Sequence, residues 1–217
     1  MLVYAHRGWH GPNVAENSMA AFARAAAAGC GIETDLRITR DRRLILFHDR
    51  TAVDAAVASL THAELEAAKG RAIPLLETLL AAALPVELNL EVKTRAAWTA
   101  LQPFLADLPR SVLISSFIHP IAVAAANAGF DSALLLASHP AGPDLLPPPQ
   151  PRLSTAVWDV NVVDAELPLL ARALGWRTIV YGPATVAEHD ALTAIPVDGI
   201  ITDTPDRVRG LRARATV

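Results

Sequence analysis

The chain has a single cysteine, Cys30, so no internal disulfide can form, and the apolar stretch around it suits a buried, inert thiol. It has no basic run and a net charge of −3, so nucleic acid and a stable membrane anchor are not expected as partners. No apolar run reaches the roughly 18 residues of a membrane span; Ala25 to Ala28 and Leu79 to Ala83 read instead as packed helices. No basic n-region and long apolar segment precede the first predicted strand at Leu2, so no secretory signal is expected and a cytoplasmic location is the default expectation. What these absences leave is a protein that acts on something small.

Apolar material is what the chain has in quantity. Hydrophobic residues make up 52% of it, ample for one large core, and residues 1–217 are expected to form a single domain. Short β-branched or Leu-rich runs alternate with Ala-rich helical patterns, which signals repeated βα units around a parallel sheet. The predicted strands are Leu2 to Ala5, Gly31 to Leu36, Val86 to Val92, Val112 to Ser116, Ala133 to Ala137, Ala156 to Val160, Thr178 to Tyr181 and Gly199 to Thr202. Between them the predicted helices are Ser18 to Ala28, Pro74 to Ala83, Ala96 to Leu105, Pro120 to Ala128, Ala165 to Leu174, Thr185 to Ala194 and Pro205 to Arg212. Gly29, Gly129 and Gly175 stop three of these helices.

Two segments fall outside the alternation. The extended run Arg43 to Phe47 follows a turn-like Thr39 to Arg42, and it is expected to pair with the second strand and carry His48 to the same rim. In His139 to Arg152 the triplet Pro147-Pro148-Pro149 cannot lie inside a helix, so a loop is expected to replace most of one outer helix. Eight strands with interleaved helices predict an α/β fold, a compact (β/α)₈ barrel of the TIM type, trimmed below the usual length of around 250 residues.

Carboxylates mark where the chemistry lies. Glu33 and Asp35 are two residues apart in an apolar strand, so both side chains project to the same side. Glu91 and Lys93 share a face in the same way, while Leu90 and Val92 point into apolar packing. Unpaired charge would be costly in such surroundings, so a common partner is expected. Carboxylate oxygens are hard ligands suited to Mg²⁺ or Ca²⁺, and Glu33, Asp35 and Glu91 are the candidate set for one divalent cation. Strand C-terminal ends surround the open mouth of such a barrel, and His6, Glu33, Asp35, Glu91, Lys93, Ser116 and Asp203 all fall there.

Ordered motifs extend this pattern over nearly the whole chain. They are Ala5-His6-Arg7-Gly8, Glu16-Asn17-Ser18 with Ala21-Phe22, Glu33-Thr34-Asp35, Thr39, His48-Asp49, Ile73-Pro74-Leu75-Leu76-Glu77, Glu91-Val92-Lys93, Ser116-Phe117, and Gly199 to Asp203 with Pro205. In this the chain resembles the glycerophosphodiester phosphodiesterase family. The resemblance implies a barrel of this type, a divalent metal, and cleavage of small glycerophosphodiesters to sn-glycerol 3-phosphate and an alcohol. It implies His6 and His48 as the general acid/base pair, Arg7 and Lys93 as phosphate contacts, and Glu33, Asp35 and Glu91 as metal ligands. Glu16 and Asn17 match the family's acid-amide pair and are implied to touch substrate; Asn17 equally sits where a helix N-cap is wanted.

The chain departs from the family pattern in three places. The segment after His48 is short, about Arg50 to Arg71, which implies a smaller lid. The family's Trp-Thr-Val-Asn near the seventh strand is replaced by Val180-Tyr181-Gly182-Pro183, which implies loss of an aromatic and an amide near the glycerol end. The acidic-glycine turn after Thr39 is replaced by Arg40-Asp41-Arg42-Arg43, which bears on the hairpin.

Phosphodiester cleavage needs negative charge neutralised, a nucleophile deprotonated and a leaving alkoxide protonated. Imidazole, with an ordinary pKa near 6.5, can accept or donate the proton, and Arg and Lys can hold the phosphate. Among the other histidines, His10 lies close enough to His6 to line the mouth, whereas His62 and His189 read as members of polar helical stretches. Trp9 and Trp158 read as ordinary packing. Two competing functions remain at this level: a phospholipase D-like or inositol-phosphodiesterase relative acting on lipid head groups, and a non-catalytic barrel that binds phosphorylated ligands.

Overall fold

The computed structural model describes residues 1–109, 111–139 and 145–208. The chain runs β1 (Leu2–Ala5), α1 (Met19–Ala27), β2 (Gly31–Ile38), β3 (Leu44–Leu46), β4 (Thr51–Ala52), β5 (Ala55–Ala56), α2 (His62–Lys69), α3 (Leu76–Ala81), β6 (Leu88–Val92) and α4 (Arg95–Leu101). It continues through β7 (Leu113–Ser116), α5 (His119–Asn127), β8 (Asp131–Leu136), β9 (Leu153–Asp159), α6 (Leu167–Ala173), β10 (Arg177–Tyr181), α7 (Val186–Ala194) and β11 (Gly199–Thr202). Strands β1, β2, β6, β7, β8, β9, β10 and β11 pair in parallel in that order, and β11 pairs back onto β1 to close the ring. The expected eight-stranded (β/α)₈ barrel is what forms. The expected hairpin forms too: β3 lies antiparallel on the upper half of β2, with Leu36 opposite Leu46 and Ile38 opposite Leu44.

Strand alternation sorts the core into two layers. Tyr4, Leu113, Ala133, Leu135, Val157, Ile179 and Ile201 point to the barrel axis and pack on one another. Residues of opposite parity, such as Leu36, Leu90, Val92 and Ile114, pack outward against Phe22, Ala25, Ala97, Leu101 and Ile121 of the helices. Each large side chain so buried contributes about 1.5–3 kcal/mol, which is how a short chain closes a full barrel. Gly31 is required by this packing: a Cβ there would lie 2.5 Å from the Tyr4 ring, which crosses it on the way to a 2.8 Å hydrogen bond from Tyr4 Oη to Glu87 Oε2.

Helix ends follow local chemistry. Ser18 Oγ accepts from the Ala21 N–H to cap α1, and Thr61 with Glu64 and Thr185 with Glu188 form capping boxes on α2 and α7. Gly29, Gly129 and Gly175, the predicted stops, have φ of 72°, 89° and 85°, the left-handed region that glycine enters freely. Several expectations are corrected. Helix α4 ends at Leu101 rather than Leu105, because Pro103 tightens the chain into a 3₁₀ turn at Gln102–Phe104. The segment after His48 carries a helix of its own, α2. The last predicted helix begins as a 3₁₀ turn, Pro205–Arg207, and its end lies outside the described residues, as do 140–144 of the proline-rich loop. His189 is fully buried rather than in a polar stretch: its ring nitrogens bond Thr185 O at 2.7 Å and Thr202 Oγ1 at 2.8 Å. Trp158 is fully buried in outer-layer packing, as expected.

Candidate active site

Register brings the acids together. Asp35 on β2 lies opposite Glu91 on β6, and Glu33 lies opposite Asn89 two residues below. Glu33, Asp35 and Glu91 each offer a carboxylate oxygen, and these oxygens lie within 4.8 Å of one another in a buried setting. Lys93, just past β6, reaches two of them, with Nζ 2.8 Å from Asp35 Oδ1 and 2.6 Å from Glu91 Oε1. Arg7 lies on another side: its backbone N–H donates to Glu33 Oε2 at 3.1 Å, its Nε is 3.6 Å from Asp35 Oδ2, and its Nη1 bonds Glu16 Oε2 at 2.7 Å.

Arg7 is placed by a left-handed turn. Arg7 has φ 54° and Gly8 φ 75°, and a Cβ on Gly8 would fall 2.8 Å from Ala21 carbons and 2.9 Å from the Phe22 ring. The first turn of α1 therefore packs directly on this bend, and only glycine fits. Asn17 also adopts a left-handed φ, 47°, which asparagine tolerates. The cap role open to it is taken by Ser18. Asn17 instead turns inward, donating from Nδ2 to Asp35 Oδ2 at 2.8 Å and accepting from Thr34 Oγ1 at 2.6 Å, so it fixes the orientation of that carboxylate.

The two imidazoles flank the acids. His6 Nε2 lies 3.9 Å from Glu33 Oε2, while His6 Nδ1 is 2.7 Å from Asp203 Oδ1. His10 Nε2 meets the same Asp203 oxygen at 3.1 Å. His48 lies on the other flank, where its charge bears on Asp35 and Glu91; its Nδ1 is 3.0 Å from Asp49 Oδ1, and Arg37 Nε holds its carbonyl at 2.7 Å.

Burial and charge set the electrostatics. Burial, reinforced by the charge of Asp35, pushes Glu33 up to about 8. Burial also raises Asp35, but Lys93 and the Asn17 amide outweigh it and hold this carboxyl below the usual range. Glu91 stays raised by burial despite Lys93. Desolvation lowers His6, yet the hydrogen bond to Asp203 and the charge of Glu33 carry it above the ordinary imidazole value. Asp203 is in turn lowered, chiefly by that hydrogen bond. Burial and the charges of Asp35 and Glu91 thus keep Glu33 raised despite His6 and Lys93, the mark of a local deficit of positive charge. A divalent cation fits that deficit and that donor chemistry.

A family model described as the glycerophosphoryl diester phosphodiesterase family matches residues 6–122, which span both histidines, all three acids and Lys93. The chain belongs to this family. Similarity to a curated relative, Probable glycerophosphodiester phosphodiesterase 2 of Mycobacterium tuberculosis, is 35% identity over 130 residues, 54% of this chain and 48% of that protein. The chain thus spans about half the length of that relative. Solved structures share the fold end to end. A glycerophosphodiester phosphodiesterase from Parabacteroides distasonis superposes with a TM-score of 0.83 at 23% identity, covering 99% of this chain and 98% of that one. An Oleispira antarctica phosphodiesterase in complex with the product sn-glycerol-3-phosphate gives 0.80 at 17% identity, covering 97% and 96%.

All nine residues singled out from sequence, His6, Arg7, Glu16, Asn17, Glu33, Asp35, His48, Glu91 and Lys93, lie at this one rim. Sequence reasoning placed Asp203 at a strand end but gave it no role, and it missed Arg37. It also read Tyr181 as a lost aromatic, yet the Tyr181 ring stands at the mouth, edge-on to Phe117 with centroids 6.1 Å apart. The signal was there in strand parity: Leu113 and Ser115 face inward, so Phe117 does too.

Proposed function

We propose that this family member hydrolyses glycerophosphodiesters to sn-glycerol 3-phosphate and an alcohol, with His6 and His48 as acid and base and a divalent cation, Mg²⁺ or Ca²⁺, held by Glu33, Asp35 and Glu91. The observation that carries this reading is the convergence of those carboxylates, within 4.8 Å, between two imidazoles and two fixed cations. The matched relatives, named for this activity, support it. So does the product named for the Oleispira structural neighbour.

Each residue has a task set by its surroundings. When bound, the cation supplies Lewis-acid charge to the phosphate oxygens. Arg7 presents its guanidinium fork and Lys93 a point charge to the same oxygens, and both are oriented beforehand by Glu16, Asp35 and Glu91. Asp203 engages His6 Nδ1, which leaves Nε2 to hold or release the proton on the substrate side. Asp49 plays the corresponding part for His48. Positioned proton transfer of this kind contributes about 10²- to 10⁴-fold.

A turnover screen over glycerophosphodiesters differing in alcohol, each with Mg²⁺, Ca²⁺, Mn²⁺ or chelator, tests the reading. Release of sn-glycerol 3-phosphate that chelator abolishes is expected, with loss in His6→Ala and His48→Ala proteins that remain folded. Full activity in either variant would count decisively against it, and binding of glycerol phosphate without any turnover would favour a non-catalytic barrel. The whole of residues 1–217 is proposed to act as one catalytic unit in the cytoplasm.

A further inference from the structure

His189 has no part in the proton transfer assigned to His6 and His48, yet α7 buries it fully, together with Leu192. Leu192 packs with Val180, Val197 and Ile200 in an apolar cluster. A polar ring is costly in such surroundings unless its nitrogens are bonded, and here both are. Nδ1 lies 2.7 Å from Thr185 O, and a carbonyl only accepts, so Nδ1 carries the hydrogen. In the neutral ring Nε2 is then an acceptor, and the Thr202 hydroxyl, 2.8 Å away, donates to it.

Thr202 ends β11 and points outward to α7, since Ile201 before it faces the barrel axis. Its hydroxyl oxygen also accepts the Thr204 N–H at 3.1 Å and stands 3.5 Å from Thr204 Oγ1, while its carbonyl accepts the His6 N–H at 3.0 Å. These bonds close a tight turn around Asp203. The turn matters because the Asp203 side chain is 57% exposed, and among the described residues its carboxylate is bonded only by the imidazoles it faces, His6 at 2.7 Å and His10 at 3.1 Å, both on Oδ1. The direction of that oxygen is therefore set by the backbone of residues 202–204. His189 is the side chain that ties this backbone to the outer layer. An aliphatic residue in its place would fill the same space and leave the Thr202 hydroxyl free to turn.

We propose that His189 is a positioning residue for His6: through Thr202 it fixes the Asp203 turn, and so holds the His6 ring in its Nδ1–H form with Nε2 toward the substrate. The inference rests on the phosphodiesterase reading of the same site. Its test is a double-mutant cycle on kcat/KM for glycerophosphodiester turnover in the metal-loaded protein. His189→Asn keeps a donor for Thr185 O and removes the acceptor for Thr202, whereas Thr202→Val removes the hydroxyl at equal size. Each is expected to lower kcat/KM about tenfold, and Thr202→Ser to stay within about twofold of the unaltered protein. In an Asp203→Asn background His189→Asn and Thr202→Val are expected to cost less than about twofold, because the group through which they act is already gone. A lost active fraction would lower both arms of the cycle alike. Equal losses in the two backgrounds, or no loss in the first, overturn the inference and leave His189 as packing; should His189→Asn fail to fold, Thr202→Val decides. Nitrogen NMR of histidine-labelled protein with Mg²⁺, at a pH where His6 is neutral, gives a readout independent of turnover. The Nδ1–H form of His6 is expected in the unaltered chain, with a shift toward the Nε2–H form in both variants; an unchanged ring in both overturns the inference. Absence of turnover under every metal overturns the phosphodiesterase reading alone, and the NMR result then decides the inference.

Discussion

Raising the pH from about 5 to about 8 is expected to weaken the metal-free protein, because Glu33 holds a proton in the folded chain that it loses on unfolding. Its folded value is about 8 against an ordinary 4.5, so within this window the folded state binds close to one proton more than the unfolded state. Stability then falls with pH at a slope approaching about 1.4 kcal/mol per unit. Two neighbours bound the window. His6, raised above its ordinary 6.5, adds a fall of the same sign only at higher pH. Asp35, lowered below its ordinary 3.8, stabilises the fold above that value and matters only when the solution is more acidic. Glu91, raised by burial from an ordinary 4.5, adds a fall of the same sign, so the slope between about pH 5 and 6.5 belongs to Glu33 and Glu91 together, and the Glu33→Gln variant reads the share of Glu33.

A divalent cation bound by the folded state alone adds about 2.7 kcal/mol at a hundredfold excess over its dissociation constant. It competes with the Glu33 proton, so its effect grows with pH. Urea unfolding with chelator, and with Mg²⁺ or Ca²⁺, at three pH values across the window reads both quantities. Glu33→Gln is expected to make the chelated profile shallower between about pH 5 and 6.5. A chelated stability that is level or rises across that interval in the unaltered protein refutes the reasoning, as does a Glu33→Gln protein with the original slope.

Two further outcomes follow from the geometry. Gly8→Ala places a Cβ within 2.8 Å of Ala21 at φ 75°, so it is expected to cost several kcal/mol by thermal or urea unfolding; a loss under about 0.5 kcal/mol would contradict the packing described. Asp203→Asn removes the charge behind His6, so kcat/KM is expected to fall about 10²-fold or more, and the pKa assigned to His6 in the pH-rate profile is expected to drop, while an unmoved profile would deny Asp203 its positioning role.

How far the sequence could be read depended on whether a residue's neighbours lay on its own strand. Glu33 and Asp35 announce themselves because a strand's two-residue period puts them on one face, and the gap to Glu91 is closed by simple adjacency of parallel strands. Helix stops were legible for a similar reason, since Gly29, Gly129 and Gly175 act locally. What failed needed knowledge of the closed ring. Asp203 meets His6 only because the last strand returns to the first, 197 residues away in sequence. Asn17 and Ser18 are adjacent and both able to cap a helix; which one does so was decided by the buried Asp35 and Thr34, which offered Asn17 two better partners. Tyr181 looked like a loss when compared with a motif, and only its meeting with Phe117 across the mouth shows where its ring stands.

The central claim is that Glu33, Asp35 and Glu91 hold one divalent cation beside both imidazoles. A crystal of the protein grown with Mn²⁺, with anomalous scattering recorded, tests it most directly. The account predicts a single strong peak bonded to all three carboxylates at about 2.0–2.6 Å; a peak elsewhere, or none among these oxygens, would contradict it.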